Sequence, residues 1–258
     1  MASHPKSSGG RKSDYGKFVN NLLTQCEKTP HKTLRINSLS IESGIEKRRL
    51  YDLMNVLLAC DVCKRIDSHS FRWNGLQNIP SALQQISLHT EKKAATHDLE
   101  QLFLLPESPG IGLMTNHFLA SFMYFGKVVM NIRDIALLMS VDTEKARPIL
   151  RRLYLVAFLL ERTGLVSHSQ KIGEYIIDAN ILAIQKNTFL TLKQDGIFPA
   201  YSVEFMLSRI DDVFLKKLGH YRKSKLLFVL SQKTSRTSSN SDNADTSMDV
   251  PISQIIDN

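Results

Sequence analysis

One stretch constrains this chain more than any other, Glu46–Gly75, which reads EKRRLYDLMNVLLACDVCKRIDSHSFRWNG. Its spacing predicts a helix followed by a β-hairpin. At about 100° per residue the helix has a polar stripe of Arg48, Asp52 and Asn55 opposite an apolar face. We expect the apolar face to anchor the helix, which leaves the polar stripe to contact a ligand. The apolar face consists of Leu50, Leu53 and Leu57.

The composition predicts a globular protein of the cell interior. A chain of 258 residues with 43% hydrophobic content can build one large core or two smaller ones. It has no apolar run long enough to cross a membrane, and its N-terminus lacks a secretory signal. Cys26, Cys60 and Cys63 are too few for a disulfide framework, which favours a reducing compartment.

Positive charge is concentrated near the N-terminus. Of the net charge of +8, residues 1–75 supply +6, from 13 Lys and Arg against 7 Asp and Glu. Such an excess favours a polyanion partner, although a solvated lysine-rich surface is the ordinary alternative. Charge alone does not separate the two interpretations.

The residues before and within the opening stretch predict a winged helix. Gly44 separates the second and third helices by a tight turn, as in a helix-turn-helix, and a hairpin closes the unit. Asn37 is the expected cap of the second helix. The predicted elements are helices at Ser13–Cys26, Ser38–Ser43 and from Ile45 or Glu46 onward, with strands at Val62–Ile66 and Ser70–Trp73.

The same order of elements returns later in the chain. Arg48-Arg49-Leu50-Tyr51 is repeated as Arg151-Arg152-Leu153-Tyr154, and each copy precedes an apolar run and a short hairpin. Tandem winged helices are the simplest explanation. The elements predicted for the second unit are helices at Leu113–Phe125, Ile132–Met139 and Pro148–Arg162, with Pro148 in the first turn, and strands at Leu165–Ser167 and Glu174–Ile177.

The predicted fold class is therefore mainly α with small β wings, built as tandem winged-helix domains plus C-terminal helices. A linker is expected between the two units because Pro80, Pro106 and Pro109 interrupt it. The predicted division is a disordered basic arm (1–12), a winged-helix domain (13–76), a linker with a short helix at Ser81–Ser87 (77–111), a degenerate winged helix (112–178), a helical extension (179–230) and a disordered tail (231–258).

The block from Arg48 to Gly75 resembles the E2-factor/DP transcription factors, the cell-cycle family that binds E2-type promoters. The resemblance covers residues 13–75 well. It covers 112–178 weakly, where ILRRLYLVAFLLERTGLV is similar to the second DNA-binding domain of the atypical, two-domain members. The residues at the family's spacing are Arg48, Arg49, Tyr51, Asp52, Asn55, Val56, Leu57, Trp73 and Gly75.

This resemblance implies that the paired arginines enter the major groove and contact guanines of a G/C-rich element. Arg can form two parallel hydrogen bonds to guanine O6 and N7, with roughly 1–3 kcal/mol of discrimination for each good pair. Asp52 follows Arg48 by four residues and can hold a guanidinium in place. The expected base-reading set is Arg48, Arg49, Asp52 and Asn55.

A second set is expected to contact the DNA backbone. Tyr51 can donate to a phosphate and fix the register, and basic side chains around it can neutralise phosphates in a salt-dependent way. The full set is Lys47, Tyr51, Lys64, Arg65, Arg11, Lys12 and Lys17. The bland alternative for adjacent arginines is a solvated helix face, and for Trp73 it is packing against the helices.

The second unit departs from the pattern. Leu155 and Phe158 stand where the first unit has Asp52 and Asn55, so the polar stripe has become apolar. A helix that is apolar nearly all round should be buried. We expect it to be an interior element or to pack against another surface, the first unit being the attractive candidate for an intramolecular pseudo-dimer.

Other chemistries find little support in the sequence. Cys60 and Cys63 have the spacing of a zinc half-site, but Cys26, His31 and His69 are not paired at ligand spacing, so core packing is the favoured role. No phosphate-binding glycine loop and no catalytic triad motif occurs. We therefore expect no enzyme activity, no cofactor, no metal, no small-molecule substrate and no membrane partner.

The functional hypothesis is a nuclear transcription regulator that binds double-stranded DNA. Its first winged helix reads a G/C-rich E2-type promoter element, the second acts as pseudo-dimer partner, and a DP-type winged-helix chain or self-association completes the complex. The alternative is a winged-helix protein-interaction scaffold, or a DNA-contacting subunit of a larger complex. Exposure of the stripe of Arg48, Asp52 and Asn55 would favour the first hypothesis over the second.

Overall fold

The computed structural model describes residues 11–196 and 209–238. These residues are mainly helical, with small three-stranded antiparallel sheets. The predicted fold class is therefore confirmed. The predicted basic arm up to residue 10, part of the helical extension (197–208) and the tail from residue 239 lie outside the described residues.

The first unit is a winged helix. Gly44 ends its second helix in the left-handed conformation, with φ 69°, and its N–H donates to Ser40 O at 3.0 Å. Glycine adopts this conformation without strain, so it terminates the helix and allows the next one to start at once. The elements are α1 (Arg11–Glu27), β1 (Thr33–Arg35), α2 (Ile36–Ser43), α3 (Lys47–Ala59), β2 (Cys63–Arg65) and β3 (Ser70–Trp73).

Strand β1 was not predicted from the sequence. It pairs with β3, which also pairs with β2, so that the sheet order is β1-β3-β2. Three residues are too few to show a period of two by themselves. Their pairing with β3 makes the strand, and Leu34 lies opposite Phe71 with both side chains buried in the core.

The second unit repeats this topology. Its sheet order is β4-β6-β5, and the N–H of Ile132 donates to Gly173 O just as that of Ile36 donates to His69 O. The tandem arrangement inferred from the repeated Arg-Arg-Leu-Tyr is thus present in the fold. The elements are α6 (Ile111–Phe125), β4 (Val129–Asn131), α7 (Ile132–Leu138), α8 (Thr143–Arg162), β5 (Val166–His168) and β6 (Glu174–Ile177).

Two predicted helix starts are wrong. Arg35, and not Asn37, occupies the N-cap of α2, because β1 leads directly into the helix. Helix α8 starts at Thr143, where the Asp142 side chain accepts from the Lys145 N–H, and Pro148 therefore lies inside the helix. The aspartate cap satisfies an otherwise unpaired N–H and extends the helix upstream of the proline.

The segment between the units is more ordered than the linker predicted for 77–111. Helix α4 (Ile79–Ala94) runs well beyond the short helix expected at Ser81–Ser87, and α5 (Leu99–Phe103) follows it. Helix α4 packs against α6 and against α9 (Ile181–Gln194). Its polar side chains bond across this interface, with Gln84 donating to Thr188 Oγ1 at 2.8 Å. This segment is therefore part of the packed structure.

The last described helix, α10 (Asp212–Ser238), extends past residue 230, where the sequence predicts that the helical extension ends. Two buried cations hold it in place. Arg222 donates to both carboxylate oxygens of Glu91 on α4, at 2.7 and 2.6 Å. Lys233, only 1% exposed, donates to the carbonyls of Leu137, Leu138 and Ser140 at the end of α7.

One continuous hydrophobic core runs through both winged-helix units. Helix α3 packs against α6 and α8 of the second unit, and α1 packs against α8. The helices of the described ranges include none that is both long and apolar enough to cross a membrane.

Candidate nucleic-acid interface

The N-terminal turn of α3 is the most open part of the predicted site. Lys47 and Arg48 are exposed there, and Arg49 is half-buried. The N–H groups of the first turn of a helix lack partners within the helix, and the helix dipole adds partial positive charge at that end. Both effects favour an anion beside these basic side chains.

Tyr15 of α1 fixes the position of Arg49. Its hydroxyl donates to the backbone carbonyl of Arg49 at 3.0 Å, and the guanidinium carbon of Arg49 lies 5.6 Å from the centre of its ring. Burial raises the pKa of Tyr15, so the hydroxyl stays protonated and remains a donor. The paired arginines therefore start from a helix that is anchored to the core.

The tip of the wing lies against α3. The Tyr51 hydroxyl shares a hydrogen bond with Nδ1 of His69, and Asp67 accepts from the His69 N–H at 2.7 Å. Hydrogen bonds from the His69 backbone and the Ser70 side chain lower the pKa of Asp67. The tip and the start of α3 therefore form one surface, although Tyr51 is already engaged within the protein.

Asp52 lies where the two units meet and is half-buried. Burial raises the pKa of its carboxyl group, and Arg48, Arg152 and Arg49 oppose that shift. The carboxylate is thus surrounded by cations from both units, since Arg152 belongs to α8. Arg152 also donates to Pro109 O at 2.6 Å.

Asn55 is half-buried and linked to the wing. Arg65 donates from Nη2 to its Oδ1 at 3.2 Å, and the guanidinium carbon of Arg65 lies 5.2 Å from the centre of the Phe71 ring. The backbone carbonyl of Asn55 lies so close to Gly112 of α6 that a Cβ there would be 3.3 Å from it. The C-terminal half of the polar stripe is therefore covered by the second unit, while Arg48 at its N-terminal end is open.

The expected phosphate contacts are spread more widely. Lys64, Arg65 and Lys17 are exposed, the first two on the wing and the third on α1. Arg11 and Lys12 begin α1, but their side chains lie outside the described residues. The structure thus brings Lys47, Arg48, Tyr51 and Arg65 together, and leaves Lys17 on a different helix.

Sequence reasoning missed several neighbours of this site. His69 holds the wing tip, and Arg152 and Gly112 approach α3 from the second unit. Arg35 and Arg72 are exposed on β1 and β3. The alternation of Thr33-Leu34-Arg35 was the available signal for β1, but only its pairing with β3 gives that alternation meaning.

The matching face of α8 is closed. Phe158, seven residues after the first arginine of its repeat as Asn55 is in the first, stacks on Tyr15 with ring centroids 6.1 Å apart. A Cβ on Gly16 would lie 3.5 Å from the Phe158 ring. The expectation that this apolar face packs against another surface is met by α1, while Arg147 and Arg151 remain exposed.

The cysteines lie in the core of the first unit. Cys26, Cys60 and Cys63 are buried and free, and burial raises the pKa of Cys60 and of Cys63 to about 12. Within the described ranges, no group of three or more His, Cys, Asp or Glu side chains is arranged to hold a metal ion. The thiols act there as small apolar groups.

Comparison with known proteins points to one family. The model of the E2-factor/DP family winged-helix DNA-binding domain matches residues 16–75. "Transcription factor E2F7" of Bos taurus is 26% identical over 74 residues, which cover 29% of this chain and 8% of that protein. The transcription factor-like protein E2FD of Arabidopsis thaliana is 24% identical over 86 residues, covering 33% of this chain and 24% of the relative.

These matches concern a limited region. The transcription factor-like protein E2FE of Arabidopsis thaliana is 26% identical over 76 residues, and only 19% of its length is covered. The chain spans less than a quarter of the length of each of these relatives. The matched region holds α2, α3, the wing and nearly all of α1, which are the elements that build the surface described above. Residues 16–75 of this chain are thus a winged-helix DNA-binding domain of the E2-factor/DP family.

Proposed function

We propose that the chain is a sequence-specific, double-stranded DNA-binding transcription regulator that acts in the nucleus. Its first winged helix reads a G/C-rich E2-type element, and its second serves as the built-in partner of the first. Relatives named as transcription factors support this role for the family domain. No catalytic step is part of the proposal.

The observation that carries the proposal is the open, basic start of α3 beside the wing tip. Arg48 is exposed, and Arg49 is positioned through its backbone by Tyr15. A guanidinium at this place can form two parallel hydrogen bonds to a guanine edge in the major groove. We assign the base contacts to these arginines, with Asp52 and Asn55 orienting them and Arg65 from beneath.

The contacts between the units support a pseudo-dimer. Gly16 of α1 lies against Phe158 of α8, and Gly112 of α6 lies against Asn55 of α3. Phe158 and Asn55 hold the same place in their repeats, so each unit presents its first helix to the third helix of the other. Reciprocal contacts of this kind are typical of a two-fold interface. The missing Cβ at each glycine allows the helices to approach closely.

The two units are unequal in charge. The first offers Lys64 and Arg65 on β2, where the second has Ser167 and His168. In the proposed complex the first unit therefore reads bases, and the second touches phosphate through Arg147 and Arg151 at most. A single chain then supplies both halves of the arrangement, and a separate DP-type chain is not needed.

The test is binding of the purified chain to a duplex with a G/C-rich E2-type site and to a shuffled duplex, each at two salt concentrations. We expect selective binding with one chain per site, unchanged by adding a DP-type protein. Arg48→Ala/Arg49→Ala should abolish the selectivity and leave salt-dependent binding to both duplexes.

The matched control is Arg151→Ala/Arg152→Ala, which removes the same pair from the second unit. This variant should keep its selectivity. If the Arg48→Ala/Arg49→Ala variant stays selective, the assignment of base reading to α3 is wrong. If selectivity appears only when the DP-type chain is present, the pseudo-dimer is wrong while base reading stands.

A second candidate function, a protein-interaction scaffold, is favoured by one observation. Helix α10 exposes Leu227 and Phe228, 58% and 63% accessible, and Tyr221 is also exposed. Large exposed apolar side chains grouped on one helix are common at interaction surfaces. Leu227→Ser/Phe228→Ser should leave DNA binding unchanged, and loss of DNA binding would contradict the separation of the two surfaces.

A further inference from the structure

The outer face of the first sheet carries a cluster of positive charge, which we call the outer-sheet patch: Arg35, Lys64 and Arg72. In these strands Leu34 and Phe71 point into the core, and the patch residues are exposed on the opposite side. This is the alternation expected of a sheet with one buried face. Of the three, only Lys64 was expected from the sequence to meet DNA.

The patch opposes like charges across strands. Lys64 on β2 pairs directly with Arg72 on β3. Like charges directly opposite each other destabilise a sheet. Among the residues that the structure describes, none of the three patch residues forms an ion pair with a carboxylate. An external anion would therefore relieve a repulsion that the fold itself leaves in place.

The second sheet shows that the fold does not need these charges. Its register is the same, and Ser167 pairs with Ile176 where Lys64 pairs with Arg72. Asn131 pairs with Glu174 where Arg35 pairs with Ser70. An uncharged face with one acidic side chain thus fits the same framework, so packing does not explain the outer-sheet patch.

The patch is continuous with the DNA surface proposed above. Arg35 pairs with Ser70 at the end of the wing, and the next residue, Ile36, donates its N–H to His69 O. His69 in turn contacts Tyr51 of α3. An arginine on β1 or β3 therefore lies one or two residues from the wing tip, on the side that faces away from the core.

We propose that the outer-sheet patch binds backbone phosphates of the DNA that flanks the site read by α3, with Arg35 and Arg72 as phosphate contacts. The proposal rests on the proposed function for its partner. Each phosphate neutralised releases condensed counterions, which makes the logarithm of the affinity fall with the logarithm of salt concentration by about 0.9 per contact. The charge carries no base information, so it lengthens the footprint without changing selectivity.

The experiment measures the salt dependence of binding of the full chain to a long duplex that contains the G/C-rich site. In Arg35→Asn/Arg72→Ile each residue is replaced by its counterpart in the second sheet, so the framework already accommodates both. We expect the slope to become shallower by about 1.8 and the preference over a shuffled duplex to stay unchanged. Arg35→Lys/Arg72→Lys, which keeps the charge, should retain the original slope.

The matched control places two arginines at the corresponding face of the second sheet, as Ser167→Arg/Ile176→Arg. An unchanged slope in Arg35→Asn/Arg72→Ile overturns the proposal. A slope that steepens as much in the control variant shows an effect of net charge alone and overturns it too. If the chain shows no base preference but the slope still falls by about 1.8, the patch stands and base reading fails. An intact preference with an unchanged slope gives the converse.

Discussion

Phe158 of the second unit stacks on Tyr15 of the first, with ring centroids 6.1 Å apart and the ring planes 23° from parallel. Tyr15 also donates to the carbonyl of Arg49. The residue that closes the apolar face of α8 therefore contacts the same tyrosine that positions a proposed base-reading arginine. The two units are joined at the point where their roles differ most.

Replacing Phe158 by Ala should lower the free energy of unfolding by about 1–3 kcal/mol, because a half-buried ring and its stacking partner lose their contact. Urea denaturation measures the change. Phe228→Ala on α10, where the ring is 63% exposed, should cost less than about 0.5 kcal/mol. Equal losses in the two variants would contradict the role of Phe158 in joining the units.

Breaking the buried pair of Glu91 and Arg222 should be costly. In Arg222→Met the Glu91 carboxylate stays buried without its main partner, and we expect a loss of about 3–5 kcal/mol. Glu91→Leu/Arg222→Met removes both charges and should recover most of it. The exposed pair of Lys92 and Asp195 provides the control, since Asp195→Ala should cost at most about 1 kcal/mol. A double variant as unstable as Arg222→Met would refute this account.

His117 should make the protein less stable as the pH falls. Burial lowers the pKa of its imidazole to about 4 from an ordinary value of 6.5. Between these values the unfolded chain binds a proton that the folded chain excludes, so stability falls toward acid by up to about 1.4 kcal/mol per pH unit. Its contribution is fully present above pH 6.5 and lost as the pH drops toward 4.

Urea denaturation of the protein and of His117→Gln between pH 7 and pH 4.5 measures this effect. The variant should be less sensitive to acid than the protein itself. His97→Gln, at an exposed position on the loop after α4, should follow the unmodified protein. Identical pH profiles for the protein and His117→Gln would show that the buried imidazole does not cause the acid sensitivity.

The buried thiols should not react in the folded protein. Burial raises the pKa of Cys26 to about 11 and that of Cys60 and Cys63 to about 12, so little thiolate exists near neutral pH. Ellman's reagent should label all three only after denaturation. Addition of EDTA should leave the melting temperature unchanged. Rapid labelling of one thiol, or a lower melting temperature with chelator, would contradict the packing role.

The sequence was sufficient for the architecture because periodicity and turn residues report local structure. Gly44 and the spaced leucines of α3 predicted the helix-turn-helix, and the repeated Arg-Arg-Leu-Tyr predicted the second unit. Strands β1 and β4 were missed because three residues form a strand only when β3 or β6 lies beside them. The long α4 was missed because Pro80, expected to interrupt the chain, lies in the first turn of a helix, where proline is tolerated.

Much of the candidate site depends on contacts distant in sequence. The polar stripe of α3 was visible in the helical projection, but its division into an open and a covered part was not. That division arises because Gly112 and Arg152, far along the chain, approach Asn55 and Asp52. The residues opposite Phe158 were equally invisible, since a hydrophobic position indicates burial but does not name the surface that buries it.

The buried ammonium of Lys233 has a practical consequence for anyone who prepares shorter forms of this protein. A fragment that stops at residue 230, where the apolar spacing of the sequence fades, would lack the lysine that donates to three carbonyls at the end of α7. Those carbonyls precede α8, so their loss of a donor would loosen the turn of the second unit. A fragment that retains the native fold should therefore continue at least to Ser238, the end of α10.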